Sequence, residues 1–388
     1  MPNSPSESFH FHATPYGVVS DHRVALRSKE DYDAAREWAS ELDGHGVDRV
    51  ETAEGMLRFR VNGNAPFDLP LSERLPEESL GGNTWNTWSA VMRVVGSLAP
   101  ERLGEFPLHA FSTRKLEAGV HDRETQHEAL GWPKPEVILK VTDDMRIRCS
   151  HVLCSPHGED PLYLPRTPLP ETTGEFPDAS WVFVSSAGPD LYPEILEHRR
   201  KMQAQSQTPY LHLAPGSAQV RRGIPEEVLS GVHFLSCNWE EAVQLAKHLK
   251  ARLGPEPQPY DLVEFFGTLG VDELRITHGE RGVHAWSDQG YIKASAFSRN
   301  NPSIRALVHS HGLANEGSPT WTNPDLTGCG DTRLGAELAL RHLGIGDLQQ
   351  QLCAANAMAA FQTFNPASNI GNFPPDLIRE VVENVVHR

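Results

Sequence analysis

The segment Asp325-Leu-Thr-Gly-Cys-Gly-Asp331 carries an acid to the front of a run with helical composition, Thr332 to Leu343. Gly328 and Gly330 bracket one small residue, Cys329. Glycine permits the tight backbone that aims successive N–H groups at one point. The first turn of a helix adds unpaired donors and the positive end of its dipole, so such a turn suits phosphate oxygens. Asp331, held beside it, is placed to take a proton from an attacking hydroxyl, a recurring part of phosphoryl transfer. The simpler alternative is a glycine loop whose Asp331 caps the helix. Cys329 reads as a small filler rather than a nucleophile, because no histidine partner is evident.

Three other motifs have residue types suited to the same chemistry. Gly81-Gly82-Asn83-Thr84-Trp85-Asn86 opens a helix and puts Asn83 and Asn86 on one face. Amides there both donate and accept, which suits a polyhydroxylated ligand, although an Asn-capped helix entry has the same pattern. Asn238-Trp-Glu-Glu241 follows a strand and starts a helix; its acid either complements the helix dipole or organises a hydrated Mg²⁺ beside phosphates. Thr277-His-Gly-Glu-Arg-Gly282 reads as a strand end entering a tight turn, where Thr277 and Gly279 could approach a nucleotide. The pairs His10/His12 and His309/His311 have the alternating spacing of a two-imidazole metal site, but neither has strand context.

The elements that must position these residues follow from periodicity. Residues 1–13 read as a loose tail, Tyr16 to Leu26 as the first strand, and Asp31 to Leu42 as a helix. Met56 to Val61 and Phe67 to Leu71 alternate like strands of a small sheet with one solvated face. Thr84 to Leu98 is a helix, and Val137 to Val141 with Arg146 to Leu153 suggests a hairpin. After the proline-rich link Pro161 to Pro177, strand and helix alternate: Trp181 to Val184, Tyr210 to Leu213, Phe234-Leu235 and Leu274 to Thr277 each lead into a helix or glycine turn. That alternation predicts a mainly parallel sheet covered by helices, with ligands at the carboxyl ends of its strands. Ser298 to Pro324 reads as a long loop or insertion.

The 388-residue chain is long enough for a large α/β core with an accessory element. Its formal net charge of −16 argues against nucleic-acid and anionic-membrane binding but not against a small phosphorylated ligand. Five cysteines without a paired CxxC pattern suggest neither a disulfide scaffold nor a zinc site, and the polar N-terminal segment has no signal-peptide pattern. A soluble cytoplasmic protein is expected.

Taken in order, the motifs at 81, 238, 277 and 325 resemble those of the ribokinase-like (PfkB) carbohydrate kinases, over about Tyr16 to Gly371. The resemblance implies a three-layer α/β/α fold over residues 14–388, with lid strands within 56–75 and 137–165 and possible dimerisation through that lid. It implies transfer of the terminal phosphoryl of ATP, with Mg²⁺, to a hydroxymethyl group of a sugar or sugar-like alcohol. Asp331 would be the base, and the backbone of Gly328, Cys329 and Gly330 the anion hole. Asp21, Gly82, Asn83 and Asn86 would bind the acceptor. Asn238, Thr277, Gly279, Thr327 and Asn356 would contact the nucleotide, and Glu241 the metal. ADP as donor, a nucleoside as acceptor, and a non-catalytic sugar- or nucleotide-binding homologue are the alternatives.

Overall fold

Runs such as Trp181-Val-Phe-Val-Ser185, buried on both sides, suit a central strand covered by helices on both faces. The computed structural model describes residues 8–386 apart from 14–18, 43–46, 48, 54–55, 62–65, 71–76, 112–113, 141–147, 155–161, 165–175, 187–188, 316–325, 327 and 366–372. In chain order the strands are β1 (Phe9–His12), β2 (Val19–Ala25), β3 (Arg49–Ala53), β4 (Met56–Arg60), β5 (Phe67–Pro70), β6 (Glu77–Gly81), β7 (Leu108–Phe111) and β8 (Val137–Lys140). They continue as β9 (Arg148–Cys154), β10 (Leu162–Tyr163), β11 (Trp181–Ser185), β12 (Tyr210–Ala214), β13 (Phe234–Asn238), β14 (Glu273–Thr277), β15 (Val283–Ser287) and β16 (Gly290–Ala294).

Nine of these form one sheet in the order β16-β15-β14-β13-β12-β11-β1-β7-β8. Every pairing from β14 across to β8 is parallel, and β15 and β16 add an antiparallel edge. Alternate side chains feed two cores. Phe9, Phe11, Phe183 and Phe234 pack with the helices Asn83–Leu98, Cys329–His342 and Leu348–Gln362. Val182, Val184, Leu213 and Leu235 pack on the other face with Tyr192–Ala204, Trp239–His248 and Pro259–Thr268. This is the expected three-layer α/β/α arrangement. Among the described residues, no helix is long and apolar enough to cross a membrane.

Two smaller sheets complete the fold, one ordered β10-β9-β2-β6 and the other β3-β4-β5. Several expectations change here. Phe9–His12, expected within a tail, is an interior strand between β11 and β7, because Phe9 and Phe11 fill the core while the backbone pairs on both sides. The segment expected as the first strand is instead β2 of the four-stranded small sheet, carrying Asp21 with it. The expected hairpin across Asp143 does not form: β8 joins the edge of the large sheet, and β9 pairs with β2 and β10. The described part of the 298–324 segment contains a helix, Pro302–Ser310, capped by Asn301. The helix Arg114–Ala129 had no clear signal, because its apolar positions do not keep one face.

Two packing features fix the Cys329–His342 helix. A Cβ added at Gly335 would lie 2.4 Å from the Thr87 carbonyl oxygen and 2.6 Å from the Ala90 Cβ, so only glycine allows this approach of the Asn83–Leu98 helix. Two residues later, fully buried Glu337 accepts from Arg275 Nε at 2.5 Å and from Arg333 at 2.8 Å. Arg275 also donates to the Trp286 carbonyl at 2.9 Å and to Glu273 at 3.1 Å, so its buried charge is widely shared. Burial pushes the Glu337 carboxyl up, but Arg275 and Arg333 outweigh it and hold it below the usual carboxylate range.

Gly335→Ala should lower the free energy of unfolding by about 1–3 kcal/mol, through overpacking against backbone. Glu337→Gln should cost about 3 kcal/mol or more, because two buried guanidinium groups lose their shared counter-charge. Urea unfolding midpoints of both variants check these values.

Candidate active site

The Asp331 turn is built as its glycines suggest. Gly328 sits at φ 76° as the residue before the helix, a left-handed conformation that glycine adopts readily, and its carbonyl accepts the first helical bond from Thr332 at 2.8 Å. A side chain at Gly330 would meet nothing within 4 Å, so the backbone there is open to an approaching group. The Cys329 N–H turns back to the Leu326 carbonyl at 3.3 Å. The expected anion hole of Gly328, Cys329 and Gly330 lies at the start of the Cys329–His342 helix, at the positive end of its dipole. Thr327 and Asp325 lie outside the described residues.

Asp331 is half-buried, and its Oδ2 accepts a hydrogen bond from Asn86 Nδ2 at 3.2 Å. The link joins motifs far apart in the chain and follows from packing. Asn86 and Ala90 lie one turn apart on one helix and meet Asp331 and Gly335, one turn apart on the other. The two helices therefore run in the same direction at their contact and present both N-termini to one place. Asn86 is 3% exposed, and among the described residues its Oδ1 has no hydrogen-bond partner. A buried amide oxygen is ordinarily met by a partner, such as a bound ligand or an ordered water.

The remaining motifs join this centre through short contacts. Thr84 Oγ1 lies 2.6 Å from Ser185 Oγ at the carboxyl end of β11, which seats the Gly82 turn on the large sheet. Gly82 has φ 97°. Asn83 Nδ2 would lie 3.7 Å from a Cβ at Gly216, and the next residue, Ser217, donates to Glu241 Oε1 at 2.7 Å. Glu241 Oε2 accepts the Asn238 N–H at 3.0 Å, while Asn238 Oδ1 accepts the Glu241 N–H at 2.8 Å. This is a complete capping box, and it holds Asn238 in register beside Thr277 across β13 and β14. Trp239 and His278 stack at 4.6 Å and close the gap between the two motifs.

Gly279 is exposed, and Gly282, at φ 90°, lies where a Cβ would sit 2.1 Å from the Ala294 carbonyl oxygen. Asn356 Nδ2 donates to the carbonyls of Ala294 and Ser295 at 3.3 and 2.9 Å. Asn356 thus ties its helix to the end of β16 and steadies the Gly279 turn, and any contact with a base would have to run through its Oδ1. Asp21 sits in β2 in register with Ser79, two positions from the Val19–Gly81 pair that leads into the Gly82 turn.

Among the described residues no group of three or more His, Cys, Asp or Glu could cage a metal. Burial raises the Glu241 pKa against hydrogen bonds from Ser217 and the Asn238 N–H, and each of its oxygens already accepts one bond. That donor set fits an ion that keeps its waters and meets one carboxylate through them, which is the habit of Mg²⁺. The histidine pairs are engaged elsewhere: His10 lies 2.7 Å from His109, and His311 lies 2.9 Å from Glu380.

No protein-family model matches the chain, and no curated protein does either. Solved structures do. The chain is similar to Thermotoga maritima ribokinase, with a TM-score of 0.58 and 14% identity over 97% of this chain and 100% of that one. It is similar to Arabidopsis thaliana ribokinase complexed with ribose and ATP, with a TM-score of 0.59 and 13% identity over 97% and 99%. The fold is ribokinase-like. A third match is Burkholderia thailandensis nucleoside kinase in complex with inosine, with a TM-score of 0.58 and 14% identity over 98% of each chain.

In this ribokinase-like frame Asn238 and Thr277 stand at the carboxyl ends of β13 and β14, and Thr84 meets the end of β11. Sequence reasoning missed Ser186, Gly216 and Ser217. Ser186 follows β11 at φ 51°, a strained conformation for a residue other than glycine, and packs beside Gly216. Its only sequence signal was a polar Ser-Ser pair ending an apolar strand.

Glu241→Gln keeps the capping box, since an amide oxygen still accepts the Asn238 N–H. The folded-state pKa of Glu241 lies above the usual 4.5, so this carboxyl stabilises the fold below that value and loses its contribution as pH rises through the folded pKa. Glu241→Gln should therefore gain stability relative to the wild type as the pH rises from about 4 toward neutrality. Paired urea titrations across that range read the difference, and a constant gap would contradict the assignment.

Proposed function

We propose that this chain is a kinase that transfers the terminal phosphoryl group of ATP to a hydroxymethyl group of a sugar or of a nucleoside's ribose. The observation that carries the reading is the Asn86–Asp331 hydrogen bond, which joins a glycine-turn carboxylate to the amide of a helix entry suited to hydroxyl binding. Asn86 Oδ1 accepts a hydrogen bond from the acceptor's hydroxyl, and Asn86 Nδ2 orients the Asp331 carboxylate toward the same group. Asp331 takes the hydroxyl proton as the new O–P bond forms; the bond to the β-phosphate oxygen breaks, and ADP leaves. The N–H of Gly330, at the positive end of its helix, holds an oxygen of the transferring group.

Asn238, Thr277 and the Gly279 turn line the nucleotide's side of the edge, with Asn356 fixing the far wall. Glu241 would hold Mg²⁺ through its waters, and the bound ion would neutralise charge on the phosphate oxygens. The small sheets around β2 and β4 act as a lid that excludes water, which prevents wasteful hydrolysis of the nucleotide.

The test is phosphoryl transfer from ATP and from ADP over a panel of pentoses, hexoses and nucleosides. Asp331→Asn should retain the wild-type unfolding midpoint and lose about 10²–10⁴-fold in kcat. Near-normal turnover in that variant, or nucleotide binding without product on any acceptor, would refute the kinase reading. Glu241→Gln should shift the Mg²⁺ concentration for half-maximal rate upward with the acceptor KM little changed. An unchanged Mg²⁺ dependence removes Glu241 from the metal's surroundings.

A further inference from the structure

A large cavity lies at the opposite edge of the sheet from Asp331. It has a volume of about 1130 Å³, and Phe9, Trp181, Tyr210 and Glu273, the first residues of β1, β11, β12 and β14, line it together with Trp286 and the end of the Cys329–His342 helix. Nothing in the phosphoryl-transfer reading uses this space.

Its floor holds His212, which is 1% exposed. The ring stacks on Phe234 at 4.8 Å and meets Phe9 edge-on at 4.9 Å, and among the described residues neither ring nitrogen has a hydrogen-bond partner. Burial lowers the His212 pKa well below its ordinary value, so the ring is neutral at physiological pH. A neutral imidazole has one donor and one acceptor, and leaving both unmet in a packed interior is costly. Such a group is accounted for when something in the cavity meets it.

Charge selects what that is. The cationic side chains lining the cavity, Arg102 and Arg341, are bonded to Glu105 and Glu273. The anionic ones are Asp272, Glu273, Asp288 and Asp347, which leaves a negative excess. The Cys329–His342 helix ends here while the Leu348–Gln362 helix, capped by Asp347, begins here, so their dipole ends oppose and the side-chain charges decide. Exposed faces of Trp181, Tyr210 and Trp286 supply the aromatic walls that favour a cation with an organic body.

We propose that the amino-edge cavity is a second ligand site, and that it takes a small organic ammonium or guanidinium compound whose polar head meets His212 and whose charge faces Asp288. The site is independent of the kinase reading.

Isothermal titration of the full chain with choline and with agmatine tests the proposal, with inorganic phosphate and benzoate as anionic counterparts. At least one amine should bind with Kd of about 1 mM or tighter, and both anions should bind more weakly. His212→Phe keeps a ring of similar shape and should weaken amine binding about tenfold. Asp288→Asn, on the exposed turn before β16, should weaken it several-fold without disturbing the fold, and carries the test if His212→Phe does not fold. Asp331→Asn should bind the amine as the wild type does. No amine binding at about 10 mM, preference for an anion, or binding undiminished in both His212→Phe and Asp288→Asn overturns the proposal, as does loss of binding in Asp331→Asn.

Discussion

The approach of two helices at Gly335 is the constraint on which the candidate site depends. Where one helix carries no side chain, the other comes within contact distance of its backbone, and the register that results puts Asn86 opposite Asp331. The glycine turn alone supplies a carboxylate and a row of amides. The helix contact supplies the partner that orients that carboxylate, from residues far away in sequence. Both helices lie on the same core as the aromatic face of the large sheet, so the geometry rests on close packing rather than on loops.

Behind this contact lies a second kind of restraint. Glu337, Arg275, Arg333 and Glu273 form a buried ionic cluster that ties the Cys329–His342 helix to β14, the strand that ends at Thr277. The helix bearing Asp331 and the strand bearing Thr277 are thus held by the same charges. A dry hydrophobic contact would tolerate sliding, whereas a set of directed, mutually dependent bonds fixes one register. This gives the cluster a positional role that its uncertain net contribution to stability would not by itself justify.

The sequence made much of this legible where chemistry is local. Alternating strand and helix signals after Trp181 gave the parallel sheet, and the Asn238–Glu241 motif gave a carboxylate in the first turn of a helix that follows a strand. Gly328 and Gly330 marked the turn before any contact was known. What was hidden is non-local. Phe9–His12 is too short and too polar in its surroundings to announce itself, and only pairing on both sides makes it a strand. The positions of β8 and β9 depend on which sheet each joins, which no hairpin-like spacing reveals. Asn356 carries the residue type suited to a base contact, yet its amide nitrogen goes to the carbonyls of 294 and 295.

The place of β1 in the sheet has a further consequence for how the molecule is made. Phe9 pairs with Trp181, and Phe11 with Leu108, so the slot between β7 and β11 is occupied by a segment synthesised long before either neighbour. Closing such loops precedes the contacts that reward them, which slows folding and leaves sheet edges exposed meanwhile. During synthesis, then, β1 finds its first partner once Leu108–Phe111 has emerged, and its other edge stays open until Trp181–Ser185 follows.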